Sequence, residues 1–407
     1  MIHNDDAFAA MLLTVPIAAG REELARPLSP AEFAKIDELA LKTRPGSLGA
    51  LIDIDMSGLM LRYGMREEDA YRVCLLLSRN LPLSVLMERL AFEGVELLTF
   101  YDAAYPARVR DALGEKAPPT LFLRGRPELF RQSAIAILGA VPPRGDAEAH
   151  VRSLVRQASR EDYVVLTDGM TGLGRIAEDE AFDCGGRVIS FLAGSLMERI
   201  RQPMLSSLIE CRRGAAVSPM HPESLPTQSH GLARGRCLYA QAAAAFVFGC
   251  EARRGDTWSC AAEALRDGTC PYVYAWDSPL YPGNRALIER GALPFPGPVN
   301  FAQMADVWRG ADCFAGRIAG RVGLAWCVVC TAGAFLVPWI WGASTRWFAL
   351  RGLRLDGLGL DEMFPLGLAT VWTLAALSLV VALVSLAAAQ GAPQPQTDAY
   401  VGGCCGG

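Results

Sequence analysis

Short apolar runs alternate with helix-length segments between residues 134 and 274, and this alternation restricts the fold more than any other feature of the sequence. The runs are rich in valine, isoleucine, phenylalanine and alanine, and the segments between them are long enough for crossover helices. Six such repeats predict an α/β fold with a doubly wound, mostly parallel sheet and helices on both of its faces. The predicted strands are 135–138, 164–166, 188–191, 215–217, 245–248 and 272–274.

The loops after these strands should carry the binding site, because ligands of such sheets collect at the carboxyl ends of the strands. Two of the loops, 139–145 and 167–174, are rich in glycine, so their backbone N–H groups could approach an anion. Neither loop matches a G-x-G-x-x-G motif or a P-loop, and Pro142 and Pro143 remove N–H donors from the first. Tight strand–helix turns explain the glycines equally well, and both interpretations stay open.

Two arginines, Arg234 and Arg236, precede the predicted strand at 245–248 and are placed at the start of an alanine-rich helix. Together with the dipole of that helix, they predict a compact receptor for a backbone phosphate. Arg253 and Arg254, in the loop after the same strand, would extend this rim. The competing interpretation is a solvated pair of arginines on a surface turn.

Composition and motifs limit the classes of function. The chain has 39 lysines and arginines against 43 aspartates and glutamates, and no basic tail, so any contact with nucleic acid must be a local arginine patch. None of the four histidines has a metal-ligand spacing, and no nucleophile elbow, kinase or deaminase signature is present. We therefore expect a protein that is not an enzyme, with no catalytic residue, no metal and no cofactor.

Residues 1–90 are predicted to form a small helical module before the sheet. Ser29 and Glu32 have the spacing of a capping box, with Pro30 at the first helical position. After Gly94 the pattern changes to a short strand and a turn, which indicates a domain boundary. The predicted domains are the helical module (1–90), the α/β domain (91–300), a linker (301–321), a membrane-spanning region (322–390) and a flexible tail (391–407).

Two long runs without a charged residue, 322–345 and 363–390, lie near the C-terminus. At about 1.5 Å per residue, a helix of either length can cross a hydrocarbon layer of about 30 Å. The runs therefore predict two transmembrane helices in contact with the lipid bilayer, with a pair of buried core helices as the alternative. The first residues lack the positive charge of a secretory signal, which predicts an inner-membrane protein whose α/β domain stays in the cytoplasm.

Several segments of residues 75–296 carry short motifs. The first combines a D-x-x-Y-P turn with a P-P-x-L segment after it, 234–236 reads R-G-R, and the last reads G-x-R-x-L-I-x-x-G-A, with Arg285 as its third residue. The motif positions are Asp102, Tyr105, Pro106, 118–125, Gly283, Leu287 and Gly291. In these motifs and in their order, the chain resembles the DprA/Smf family of DNA-processing proteins, which has R-N-R in the second motif and an asparagine in place of Arg285 in the last.

The resemblance implies an extended Rossmann-like domain that binds single-stranded DNA through an arginine-lined pocket and passes it to a RecA-type recombinase. Two loops depart from the family pattern. The family's G-S-R is Gly139-Ala140-Val141 here, and Glu178 falls where the family has a histidine, so of these loops only Gly139 and Gly172 carry over. Losing an arginine and gaining a carboxylate predicts a pocket that attracts phosphate less strongly.

Two functions follow from these patterns. The first is a membrane-tethered, DprA-like protein that binds single-stranded DNA during DNA processing or uptake in natural transformation, without a chemical step. The second is a nucleotide-sensing Rossmann-like domain coupled to a membrane effector in bacterial defence. Both leave the formation of homo-oligomers open.

Overall fold

The computed structural model describes residues 4–18, 23, 25–139, 142–169, 172–295, 301, 303–306 and 308. The chain divides into two compact units, Met1–Met304 and Ala305–Gly407. Both predicted membrane spans, most of the predicted linker and the predicted tail lie outside the described residues. Within the described ranges, no helix combines the length and the apolar character that a membrane crossing needs.

Five α-helices of the described residues precede the sheet, and the second begins with the predicted capping box. The Ser29 side chain accepts a hydrogen bond from the Glu32 backbone N–H, and the Glu32 carboxylate accepts one from the Ser29 backbone N–H at 2.7 Å. Pro30 is the first helical residue, so this prediction is confirmed. The helices are α1 (Asp5–Thr14), α2 (Pro30–Lys42), α3 (Met56–Tyr63), α4 (Glu67–Leu77) and α5 (Asn80–Phe92).

Nine strands of the described chain form one sheet, in the order β1-β2-β6-β5-β4-β3-β7-β8-β9. The pairs β1–β2 and β2–β6 are antiparallel and all the others are parallel, which confirms the predicted mostly parallel sheet. The strands are β1 (Glu96–Thr99), β2 (Thr120–Gly125), β3 (Ala134–Leu138), β4 (Val164–Thr167), β5 (Arg187–Phe191), β6 (Gly214–Ser218), β7 (Ala244–Val247), β8 (Val273–Trp276) and β9 (Leu293–Phe295).

Helices cover both faces of this sheet. Alternate residues of one strand point to opposite faces, so Leu121 packs in the core formed with α11 and α12, whereas Phe122 packs against the helices α1 to α5. The helices after β1 are α6 (Ala107–Leu113), α7 (Ala147–Arg160), α8 (Leu173–Asp183), α9 (Leu196–Arg199), α10 (Pro203–Glu210), α11 (Gln228–Gln241), α12 (Gly255–Asp267) and α13 (Pro282–Ile288).

The chain order reverses beside β3, and this reversal positions the site. From β3 the chain continues to β4, β5 and β6 on one side, and then returns to β7, β8 and β9 on the other. The loops after β3 and β7 therefore leave neighbouring strands in opposite directions and open a crevice between them. In sheets of this type, ligands bind at such a switch point, beyond the carboxyl ends of the strands.

Candidate anion-binding site

The loop after β7 presents two free cations at this crevice. Arg253 and Arg254 are both exposed, and neither forms an ion pair with any described residue. Arg253 has a φ of 59°, in the left-handed region that residues other than glycine rarely adopt. Gly255 has a φ of 78° and is the first residue of α12. This tight turn places the predicted binding residues at the rim, although their contact with a ligand stays a prediction.

The loop after β3 adds a third cation, Arg144, which the sequence reasoning did not single out. Arg144 is exposed and has no ion pair in the described part of the chain. Its backbone N–H donates a hydrogen bond of 2.6 Å to the Tyr281 hydroxyl. A Cβ at Gly249, after β7, would lie only 2.7 Å from the Tyr281 ring, so Tyr281 ties both loops together. The sequence feature that could have identified Arg144 is its position inside the glycine-rich loop 139–145.

The two glycines carried over from the family pattern have clear structural roles. A Cβ at Gly139 would lie 2.2 Å from Leu173 Cδ1, so this glycine lets α8 pack closely against the end of β3. Gly172 has a φ of 96° and directly precedes α8. These observations support the interpretation as tight strand–helix turns. The proposed contact of Gly139 and Gly172 with an anion is still a prediction.

The predicted start of the helix that carries Arg234 was wrong. Helix α11 begins at Gln228, with Thr227 as its cap, so Arg234 lies in the interior of the helix. Its side chain is only 4% exposed, and its Nη2 lies 3.9 Å from the Asp256 carboxylate, beyond hydrogen-bond distance. Its Nε and Nη1 have no hydrogen-bond partner among the described residues. Arg234 is therefore buried beneath the rim and does not form part of its surface.

Arg236 lies in a separate cleft of about 370 Å³ and does not share a receptor with Arg234. Its Nε donates to the Glu263 carboxylate at 2.8 Å. Lys116, in the same cleft, lies 2.7 Å from the Asp267 carboxylate. Arg234 is buried, and Arg236 is already paired in a different cleft. The expectation that the two arginines of 234–236 form one compact phosphate receptor is therefore corrected.

Glu178 does not present its charge to a ligand. Its carboxylate is fully buried and accepts hydrogen bonds from Thr167 at 2.8 Å and Ser190 at 2.6 Å. The buried Arg199 forms an ion pair with it and also donates to the Gly169 carbonyl oxygen at 3.3 Å. The carboxylate is thus neutralised inside the protein, which removes the reason for expecting it to repel phosphate.

The residues of the first family motif shape the connection between β1 and β2. The Asp102 carboxylate accepts hydrogen bonds from the backbone N–H and the hydroxyl of Thr99, at 2.7 and 2.8 Å. The Tyr105 hydroxyl donates to the Pro118 carbonyl at 2.6 Å, and Pro106 caps α6. Because β1 is five strand spacings from β3, this turn lies roughly 24 Å from the crevice.

The residues of the last family motif lie in α13 and directly after it, next to the loop that follows β7. A Cβ at Gly283 would lie 2.4 Å from the Cys250 carbonyl oxygen, so this glycine allows α13 to approach the loop after β7. Leu287 is fully buried, and Gly291 turns the chain with a φ of 106°. These three positions therefore support the packing of the site.

Asn284 is a site residue that the sequence reasoning missed. It is fully buried, and its Nδ2 donates to the carbonyl oxygens of Val247 at 3.2 Å and Trp276 at 2.9 Å, which joins the ends of β7 and β8. The next residue, Arg285, has the position of the family's asparagine in the motif and is exposed. The sequence feature that could have identified Asn284 is its position beside Gly283 in the first turn of a helix.

Four cysteines in this half of the molecule are poorly suited to act as nucleophiles. Burial raises the pKa of the Cys237, Cys250, Cys260 and Cys270 thiols to about 12. The thiolate is the reactive form of cysteine, so these thiols remain inert near neutral pH. All four pack in the same hydrophobic core of the α/β domain.

The sequence pattern of the DNA recombination-mediator protein A family matches residues 96–305. The chain belongs to this family. The match includes every strand of the sheet and confirms the resemblance to DprA/Smf proteins.

Solved structures with similarity to the chain include two DprA proteins. DNA processing protein A of Streptococcus pneumoniae is 18% identical, with a TM-score of 0.45 over 67% of this chain and 96% of its own. The Helicobacter pylori protein, whose single-stranded DNA binding mode has been described, is 20% identical, with a TM-score of 0.44 over 52% and 95%. A molybdenum cofactor binding protein of Rippkaea orientalis is 14% identical, with a TM-score of 0.33 over 44% and 97%. None of the curated proteins matches the chain.

Proposed function

We propose that this protein binds single-stranded DNA along the rim of the crevice, in DNA processing or uptake, and that it performs no chemical step. The observation that carries the proposal is the placement of Arg144, Arg253 and Arg254 on loops that follow the adjacent strands β3 and β7. All three cations, which together form the arginine rim, are exposed and lack an ion pair within the described residues. An arginine without an internal partner is available to a phosphate.

Two helix N-termini strengthen the attraction for a phosphate backbone. Helices α7 and α12 begin directly after the two loops, and the N-cap residues Asp146 and Arg254 make no side-chain cap hydrogen bond. Apart from the Ala147 N–H, which donates to the Arg144 carbonyl oxygen at 3.5 Å, the first N–H groups of the two helices make no hydrogen bond within the described residues and are open to another acceptor. The helix dipole favours an anion there. Membership of a family of recombination mediators supports DNA as the source of the phosphates.

Fluorescence anisotropy of a labelled oligo-dT with the purified full chain tests the proposal. We expect binding that weakens steeply with salt, because each phosphate contact releases counterions. The double variant Arg253→Ala/Arg254→Ala should bind about tenfold more weakly, with a salt slope reduced by roughly 1 to 1.5. Arg160→Ala is the matched control, because Arg160 is also exposed and unpaired in the described structure but lies at the opposite end of α7. Equal effects of the two variants would contradict the proposal.

The remaining parts of the proposal concern the partners and the location. A mediator of recombination needs a recombinase to receive the strand, and we propose a RecA-type protein for this role. The uncharged runs 322–345 and 363–390 would anchor the chain in the inner membrane, with the arginine rim in the cytoplasm, where incoming DNA arrives. A pull-down tests the proposed partner. We expect the full chain to retain the recombinase in the presence of oligo-dT, and to lose it when DNA is left out or when the double variant Arg253→Ala/Arg254→Ala replaces the wild type.

One observation favours the second candidate function, a nucleotide sensor. Arg234 is buried with two unpartnered nitrogens, which is costly unless a small anion reaches it. A nucleotide at roughly 100 times its dissociation constant would raise the free energy of unfolding by about 2.7 kcal/mol. Thermal unfolding of the full chain with a panel of nucleotides and cyclic dinucleotides detects this effect, and Arg234→Met should abolish it. A flat response with intact DNA binding excludes the sensor.

A further inference from the structure

A column of aromatic rings rises from the core to the carboxyl end of β8, beside the arginine rim. Phe248 and Phe295 form its buried base, with exposed fractions of 1% and 5%. The half-buried His150 and Trp276 form its upper end, with ring centroids 5.2 Å apart. The His150 ring also stacks on Phe248 at 6.5 Å and contacts the edge of Phe295 at 6.2 Å. The lower rings therefore hold the upper two in place.

The upper rings lie against the loop that carries Arg144. A Cβ at Gly145 would be 3.8 Å from Trp276 Cη2, so the loop after β3 runs along the edge of the indole. On its other side, the indole lies 6.0 Å from the Tyr281 ring, whose hydroxyl accepts the Arg144 backbone N–H. Trp276 is thus fixed within the same group of contacts that joins the two arginine-bearing loops.

The polar edges of both upper rings reach solvent. In the described structure, neither the Trp276 indole nitrogen nor the His150 ring nitrogens make a hydrogen bond, and none of them is a buried unsatisfied atom. Buried tryptophans usually find a partner for their N–H group. Trp276 instead combines an anchored ring with an open edge, next to the loop that carries the unpaired Arg144.

We infer that Trp276, supported by His150, stacks on a base of the strand whose phosphates the arginine rim binds. This inference rests on the proposed function. Proteins that hold single strands without sequence preference combine a cationic track with aromatic side chains on which bases stack. An indole that is already fixed by its neighbours loses little conformational freedom when a base packs on it. Because stacking uses the faces of the bases, we expect weak sequence preference.

Two oligonucleotides of equal length separate stacking from phosphate binding. One is oligo-dT, and the other replaces its thymidines with abasic residues and keeps every phosphate. With the full chain at fixed salt, we expect oligo-dT to bind more tightly than the abasic strand. Trp276→Leu should weaken binding of oligo-dT about tenfold and leave binding of the abasic strand unchanged, and Trp276→Phe should retain most of the affinity.

Tyr274→Leu is the matched control. Tyr274 lies on the same strand and the same face as Trp276, two residues further from the carboxyl end, and stacks on the buried Phe246 at 5.0 Å. Its replacement removes an aromatic ring of similar burial without touching the crevice, so binding of both strands should be unchanged. Thermal unfolding of the variants accompanies the binding assays.

The outcomes separate this inference from the proposed function. If the wild type binds neither strand, the proposed function fails and the inference fails with it. If the wild type binds both strands equally, or Trp276→Leu behaves like Tyr274→Leu, stacking is overturned and phosphate binding stands. If Trp276→Leu does not fold, ultraviolet crosslinking of wild-type protein to oligonucleotides with 5-iododeoxyuridine decides. A crosslink to the peptide with Trp276 supports the inference, and one confined to other segments overturns it.

Discussion

At the scale of single residues, the pair formed by Glu178 and Arg199 shows how a family position can change without placing a free charge in the site. Glu178 is fully buried and Arg199 is 6% exposed, so each ion depends on the other for neutralisation. Removing one partner of a buried pair leaves an uncompensated charge in a medium of low polarity. The pair also holds the loop after β4 through the Gly169 carbonyl.

We predict that Arg199→Met lowers the free energy of unfolding by about 3 to 5 kcal/mol. Chemical denaturation followed by circular dichroism measures the loss. Arg201→Met is the control, because the Arg201 side chain is 62% exposed and its pair with Glu93 should contribute at most about 1 kcal/mol. The double variant Arg199→Met/Glu178→Met should lose less than Arg199→Met alone, since no charge is left unpaired. Equal losses for Arg199→Met and Arg201→Met would show that the buried pair is not required.

The sequence placed Arg253 and Arg254 in the loop after the strand at 245–248, where the structure has them, but it misplaced Arg234. The sequence pattern puts the start of the helix at Gly231, three residues after the observed start at Gln228. The structure shows a packing role for Gly231 and Gly235. A Cβ at Gly231 would lie 1.8 Å from the Asp256 carboxylate, and one at Gly235 would lie 2.2 Å from Cys260 Sγ. Contacts between two helices distant in sequence cannot be read from local composition.

At the scale of elements, the apolar runs located six parallel strands within one or two residues of their observed ends. Two strands were missed. The segment of β2 was recognised only as part of a family motif, and β9 has three residues, one of them Pro294. Short edge strands with proline carry little periodicity, so tertiary pairing decides whether they form.

Local signals are stronger at helix ends, and the cap of α2 provides a test. Ser29→Ala removes the side-chain oxygen that accepts the Glu32 N–H, and we expect a loss of about 1 kcal/mol in the free energy of unfolding. Ser84→Ala is the control, because Ser84 is exposed inside α5 and its hydroxyl bonds only to a carbonyl one turn earlier. Urea denaturation compares the two variants. A loss for Ser84→Ala as large as that for Ser29→Ala would mean that the capping box adds no stability.

At the scale of the whole molecule, the sheet order could not be deduced from the sequence alone. The repeats required a mostly parallel sheet, but the antiparallel β1–β2–β6 edge depends on pairing between residues about 100 positions apart, such as Phe122 and Ser218. The shared core of the helical module and this edge, with Phe33 and Phe122 in one cluster, was also invisible to local patterns. The switch point between β3 and β7, by contrast, follows the general rule for such sheets.

The last prediction concerns the two uncharged runs, 322–345 and 363–390, and belongs to the full chain. Between them lies the polar segment 346–362, which cannot stay in hydrocarbon and must emerge on the far side if both runs cross the membrane. We expect the full chain to fractionate with membranes and to resist extraction by alkaline carbonate, because about 20 apolar residues per span suffice for stable insertion. A chain that ends at residue 308 should remain in the supernatant. If carbonate extracts the full chain to the same extent as the shortened one, the two runs do not span the membrane. The alternative of two buried helices would then hold.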